Sequence, residues 1–205
     1  MNKNRLEALS DGIFAVAITL LVLDIRIPAG VEYDHLGQSI LALAPKIVSY
    51  LFSFCVIGVY WTIHHFAFSR VRKIDGTLLF LNMLILLVVT FMPFPTILIG
   101  EYPFTPIPLV IYGGCLLSAN LIGFLTVVHL HRHPELLDHK HRNAFLKTQV
   151  PLYVAVNVPY LAATALAFYS PTTSYVIYVV VLATVGVTFW RRINSLALSG
   201  GNASD

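Results

Sequence analysis

An all-α membrane fold, a single bundle of six transmembrane helices, is what three observations on this 205-residue sequence predict. Hydrophobic residues make up 57% of the chain and charged residues only 11%, against roughly 25% charged in soluble domains. Mean hydropathy is +0.77, and apolar runs recur at about 9–27, 46–66, 76–99, 107–129, 146–168 and 174–190, each close to the roughly 20 residues needed to cross a bilayer core. The third observation is the placement of positive charge. Lys3, Arg5, Arg70, Arg72, Lys73, Arg132, Lys140, Arg142, Lys147, Arg191 and Arg192 fall on one side of the six-span plan, eleven of the thirteen basic residues, and only Arg26 and Lys46 on the other. The positive-inside rule therefore puts both termini in the cytoplasm.

Six spans leave room for one domain, residues 1–198, followed by the tail 199–205, whose Ser, Gly and Asn composition reads as disordered. The net charge of +3 reports orientation. Nucleic-acid binding would need a basic face on a soluble module, and no such module is present. Cys55 and Cys115 lie inside predicted spans without a CxxC spacing and read as buried thiols. Lys3 and Arg5 precede an apolar run as in a signal peptide, but no small-x-small cleavage site follows, so the run is taken as a mature first span.

The first span is the one least suited to lipid. Asp11 and Asp24 are separated by twelve residues, roughly 18–20 Å of helix against a ~30 Å hydrocarbon core. At least one carboxylate must therefore sit near membrane depth, where ionisable groups face a bundle interior or a water-filled path. At about 100° per residue, Gly12, Val16, Thr19, Leu20, Leu23 and Ile27 share one face, and Asp11, Ala15, Ile18 and Val22 a nearly opposite one. Thr19 is a lone hydroxyl among aliphatics, and a back-bond to the carbonyl four residues earlier is its plain alternative to a functional role.

Residues 28–45 form an outer connection ending at Pro45, a residue suited to the first turn of the second span. That span closes on Trp61 and His64, three apart and on one face. An interfacial anchor and a satisfied polar group are their plain readings. Asp75 stands at the N-cap position of the third span. Asn82, further in, needs an interhelical partner, and Pro93 and Pro95 bend or end that helix.

Gly113-Gly114 and Ser118 permit close packing of the fourth span. A His-rich stretch follows, His129 to His141, with enough donors for a metal but no recognised ligand spacing, and a solvated, pH-sensitive loop is the plain reading. The fifth span is expected to kink at Pro151 and Pro159. Gly186 in the sixth reads as a packing contact, and no three-plus-three repeat is visible.

Arg5-x-x-x-Leu9-Ser10-Asp11-Gly12, followed by the apolar run to Asp24, resembles the Arg-x-x-x-Phe-Ser-Asp signature of the transmembrane protein 175 family, the endolysosomal potassium channels and their prokaryotic relatives. Trp61-x-x-His64, Asp75, Asn82 and Pro93 also match. The resemblance implies six helices per repeat, cytoplasmic termini, and a homotetramer of single-repeat chains in a prokaryotic cell membrane, with first helices lining a central pore. It places the constriction at Val16, five residues after the motif Asp, and further pore-facing positions at Thr19, Leu20 and Leu23, the residues that spacing puts on one face. Arg5, Ser10 and Asp11, with Trp61, His64 and Asn82, correspond to a network holding the pore helix. Leu9 replaces the motif Phe and Val16 a larger aliphatic, which leaves open whether the narrowest ring lies at Val16, Leu20 or Leu23.

The expected function is thus passive potassium permeation through rings of aliphatic side chains. No cofactor or metal is called for, and no TVGYG carbonyl filter is present. Thr19 hydroxyls would contact a partly dehydrated cation. Asp24 would concentrate monovalent cations at the outer mouth, or else pair with Arg26. Two other classes stay open: a proton-coupled secondary transporter relaying protons through Asp11 and His64, and a membrane enzyme using the His-rich segment with a metal. The second lacks a nucleophile-base-orienter set and a nucleotide loop.

Overall fold

The computed structural model describes the backbone of residues 2–138 and 142–201, with side chains over 2–138 and 153–191. Helix α1, Lys3–Leu20, begins at Asn2, whose side chain accepts the Asn4 N–H, and tightens into a 3-10 turn over Leu21–Asp24. A short helix α2, Leu36–Ala42, lies in the outer connection. Helix α3, Ala44–Phe68, carries Pro45 in its first turn, where a missing N–H costs no helical bond. Helix α4, Gly76–Phe91, is capped by Asp75, whose Oδ1 accepts the Leu78 N–H at 2.8 Å. After Met92 the chain restarts as α5, Pro93–Glu101, so the two prolines break the third span near its end. Helix α6, Pro106–Arg132, is followed by α7, Arg142–Leu166, and α8, Pro171–Gly201.

Among the described residues five stretches are long and apolar enough to cross a membrane: Lys3–Asp24, Ala44–Phe68, Gly76–Glu101, Pro106–Arg132 and Pro171–Arg191. The remaining expected span is α7, whose described apolar part is Tyr153–Leu166. The chain is an integral, multi-pass, helical membrane protein.

Helix α6 is central, packing on α4, α5 and α7, while α8 closes on α7 and α1 leans on α3 and α4. The core gathers Phe14, Val56, Ile57, Leu86, Tyr112 and Leu116. Most of its polar groups are paired, as a site without water requires, the Ser174 hydroxyl being the exception among the described residues. The Tyr178 hydroxyl donates to the Leu109 carbonyl at 3.1 Å, and Thr96 donates to Ser53 Oγ at 2.8 Å. Gly113 is where α7 and α8 come closest to α6, because a Cβ there would run into the Thr164 and Tyr178 hydroxyls. Gly114 has open space beside it, so only one of the two glycines serves packing. Gly186 makes an ordinary contact with Val59.

Three expectations are corrected. Cys55 is exposed and only Cys115 is buried. Helix α7 continues through Pro151 and Pro159, and Asn157 donates back to the Tyr153 carbonyl at 2.7 Å. Helix α8 continues to Gly201, so the tail expected from Ser199 is helical in its first three residues, and 202–205 lie outside the described residues. The His-rich segment is no single loop. His129 and His131 belong to α6, and Val71 and Leu137 form an antiparallel bridge that ties the turn after α3 to the stretch after α6. His139 and His141 lie outside the described residues. Among the described residues no group of three His, Cys, Asp or Glu side chains is gathered to hold a metal.

Candidate functional site: the first helix and its anchor

Helix α1 buries one narrow face, formed by Leu6, Ser10, Phe14, Ala17 and Leu21 at the three- and four-residue steps of a helical stripe. The face with Val16, Thr19, Leu20 and Leu23 is open: Val16 is 54% exposed, Leu20 45% and Leu23 53%. Aliphatic side chains on a helix that also carries two carboxylates are thus left uncovered in the single chain. The stripe of Asp11 and Ala15 is not opposite the Val16 stripe. At about 100° per residue the two stand about 120° apart, and the buried face occupies the third sector. Asp11 therefore lies at the flank, within reach of α3.

The 3-10 turn changes the register of the open face. Three residues per turn eclipse i and i+3, so Leu23 sits above Leu20 instead of drifting back toward Val16. Thr19 donates to the Val16 carbonyl at 2.9 Å, three residues back and not four, leaving its oxygen lone pairs on the exposed side.

A polar chain crosses the buried seam. Ser10 Oγ donates to the Leu6 carbonyl at 2.9 Å, and Asn82 Nδ2 on α4 donates to Ser10 Oγ at 3.1 Å. Asn82 is 1% exposed, and its Oδ1 faces His64 Nε2 of α3 at 2.7 Å. The His64 ring is stacked on Phe68, with centroids 4.4 Å apart, and tilted against Phe14 at 5.5 Å. One turn earlier on α3, Trp61 Nε1 donates to Asp11 Oδ1 at 2.8 Å. Ser10, Asp11, Trp61, His64 and Asn82 are thus brought together, and three helices meet through them. Trp61 is more than an interfacial anchor.

Arg5 does not join this set. It is exposed, and its side chain makes no hydrogen bond or ion pair among the described residues. The neighbouring Lys3 does its expected work, donating to the Ser69 carbonyl at the end of α3 at 3.2 Å and lying 3.6 Å from Glu7.

At the far end of α1, Asp24 pairs with Lys46 at 3.4 Å, not with Arg26, and Lys46 also lies 3.4 Å from Glu101. Arg26 instead turns its Nε to the Leu23 carbonyl at 2.6 Å. Lys46 escaped notice because a lysine two residues into a span reads as a charge that escapes toward the headgroups. Its signal was its rarity, as one of two basic residues on that side.

Two further linkages run behind α1. Asn120 donates to the Tyr60 hydroxyl at 2.8 Å, beside a cavity of about 70 Å³ that His64 and Asn82 line from the other side. On the cytoplasmic end predicted from charge, His129 Nε2 meets Asp75 Oδ2 at 2.8 Å. Partial burial by itself would raise the Asp75 carboxyl, but the Leu78 N–H and the hydrogen bond and charge of His129, with that of His133, hold it below its ordinary value. The N-cap thus also ties α4 to the end of α6.

Helix α1 thus presents an exposed aliphatic stripe and is held from behind by a buried polar chain. Residues 5–93 match the family model described as endosomal/lysosomal potassium channel TMEM175. The crystal structure of a lysosomal potassium-selective channel TMEM175 homolog from Chamaesiphon minutus superposes with a TM-score of 0.79 at 34% identity, over 91% of this chain and 97% of that one. A potassium channel of Streptomyces collinus is 47% identical over 103 residues, 50% of each chain. The endosomal/lysosomal proton channel TMEM175 of Danio rerio is 29% identical over 188 residues, 88% of this chain and 36% of that one. The aligned part thus spans half the length of the Streptomyces relative and about a third of the fish protein. With the fold matched end to end and the motif residues in their places on α1, α3 and α4, the chain belongs to the TMEM175 family of channels.

Proposed function

We propose that four copies of this chain surround an axial path for potassium, with α1 of each copy lining it and no cofactor taking part. The carrying observation is the division of α1 into an open face of Val16, Thr19, Leu20 and Leu23 and a buried face fixed by Ser10. Rings of aliphatic side chains close a path by narrowing and drying it. The 3-10 turn stacks Leu20 and Leu23 on one azimuth, which supports a gate two side chains deep at the outer half of the helix, with Val16 below it. Thr19, between the levels, presents oxygen lone pairs to a cation that has shed part of its water. The bacterial relative and the crystallised homolog, both named for potassium, support this permeant ion.

In this reading one six-helix domain, 1–198, sits in a prokaryotic cell membrane with both termini in the cytoplasm. The excess of basic residues at that end supports the orientation. A proton-coupled carrier using Asp11 and His64 has less support, since each is bound to a different partner, Trp61 and Asn82. Potassium flux from vesicles reconstituted with purified protein tests the proposal. Flux that grows linearly with gradient, from a preparation that native mass shows to be tetrameric, is expected. A verified tetramer without flux, or saturable pH-coupled exchange, overturns it.

A further inference from the structure

The outer end of the bundle holds two carboxylates on different elements and one ammonium between them. Lys46 Nζ stands 3.4 Å from Asp24 Oδ2 at the end of α1 and 3.4 Å from Glu101 Oε1 at the end of α5. The root of this lysine is fixed. Helix α5 approaches α3 so closely at Gly100 that an added Cβ would meet Ser49 Oγ at 2.9 Å and the Lys46 Cα at 3.1 Å. Ser49 in turn donates to the Lys46 carbonyl at 2.9 Å. The Lys46 and Asp24 side chains are only 24% and 22% exposed, so this is no surface lysine swinging in solvent. Arg26, the other basic residue on this side, is engaged with the Leu23 carbonyl.

We infer that Lys46 is a tethered counter-ion that sets the charge of the outer mouth, and is therefore a specificity-determining residue of the channel. The inference rests on the reading of α1 as the pore wall, because Asp24 closes the 3-10 turn that ends that helix. With the ammonium in place, Asp24, Glu101 and Lys46 together carry one negative charge. Without it they carry two, and the change repeats in every copy around the axis. Two carboxylates that share one cation at 3.4 Å on each side also form the oxygen-rich setting that divalent ions occupy. Lys46 keeps that place filled. It thereby limits both the local concentration of permeant cations and the block by divalent ones. The effect reaches about one Debye length, roughly 10 Å at 0.1 M salt and about 30 Å at 0.01 M, so it is confined to the mouth at the higher salt and extends along the path at the lower.

The test compares Lys46→Met, Lys46→Arg and the double variant Lys46→Met with Glu101→Gln, in planar bilayers and in calorimetry of the detergent-solubilised protein. Lys46→Met is expected to raise single-channel potassium conductance at about 10 mM salt by about twofold or more, with the gain vanishing near 1 M. External barium block should appear in this variant alone. Lys46→Arg should behave as wild type, and the double variant should return toward it, which a merely structural loss of the clamp would not do. Titration of Lys46→Met with barium chloride should give one ion per chain where wild type gives none, a readout that needs no current. Unchanged conductance and no barium binding in a folded Lys46→Met tetramer overturns the inference. Barium binding without potassium flux from any form overturns the channel reading while leaving the counter-ion role standing.

Discussion

The Trp61 indole N–H donates to the Asp11 carboxylate at 2.8 Å, and this bond explains how an acidic residue is kept near membrane depth on a helix that lines an open face. Asp11 is exposed within the chain and placed at the flank of α1. A fixed donor from α3 holds it aside, away from the Val16 stripe, and welds the two helices at the same time.

Trp61→Phe keeps an aromatic ring on α3 and removes only this donor. Hydrogen bonds to charged groups are worth about 1.5–3 kcal/mol, reduced here because both partners are partly exposed, so a loss of about 1 kcal/mol is expected. Thermal unfolding of the detergent-solubilised protein reads it as a lower Tm. A double cycle with Asp11→Asn should show coupling between the two positions. Additive effects would mean that the bond does not hold α1.

The buried chain from Ser10 through Asn82 to His64 gives a sharper expectation. Asn82→Leu fills the space but strips His64 of its partner and leaves Ser10 only its back-bond to Leu6. A destabilisation of about 1–3 kcal/mol follows from a buried donor left without its acceptor. Ser10→Ala removes one interhelical bond and should cost less, about 0.6–1.7 kcal/mol on the scale of bonds between membrane helices. Were Ser10→Ala the more damaging of the two, Asn82 would not be the hub of the seam.

How much of this was legible in the sequence differs by interaction type. The spans and the residues of the seam were, because hydropathy marks a bilayer crossing and an isolated Asn82, Trp61 or Asp11 in an apolar run must find a partner. The azimuth of Asp11 was misjudged because a helix in a bundle has three kinds of surroundings, and a two-faced division has no place for a flank. The 3-10 turn at Leu21–Asp24 was invisible in the spacing, and the pairing of its last residue, Asp24, with Lys46 on another helix is not encoded locally. The pairing of Asp75 with His129, 54 residues apart, depends on which helices are neighbours, and no local spacing encodes that. Arg5 carries the motif position, but its side chain has no hydrogen bond or ion pair among the described residues, so its matched identity did not translate into a partner.

Removing bulk from the open face tests the gate directly. Leu20→Ala and Leu23→Ala each delete an exposed aliphatic side chain that supports little of the chain's own core, so the fold should survive. Potassium flux from reconstituted vesicles should rise several-fold in either variant if they form successive hydrophobic rings, since a wider ring wets more readily. Val16→Ala should act less if the constriction has moved outward. Unchanged flux in both leucine variants would remove them from the gate and leave Val16 as the narrowest level.

The contact of Asp75 with His129 makes one stability contribution depend on pH, with a direction fixed by the carboxyl. Folding holds the pKa of Asp75 below its ordinary 3.8, against the opposing pull of partial burial, through the Leu78 N–H and the hydrogen bond and charge of His129, with that of His133. The folded state therefore binds that proton more weakly than the unfolded chain, and the contribution is fully present above pH 3.8 and lost as pH falls through the lowered value. Asp75→Asn separates charge from capping, because Asn is as good an N-cap as Asp. Its Tm should lie below that of wild type at neutral pH, and the gap should close as the buffer is taken below 3.8. Asp75→Ala loses the cap as well, at about 1 kcal/mol, and its deficit should persist in acid. A gap between wild type and Asp75→Asn that ignores pH would show that the link from α4 to α6 is held by the geometry of the hydrogen bond and not by the charge.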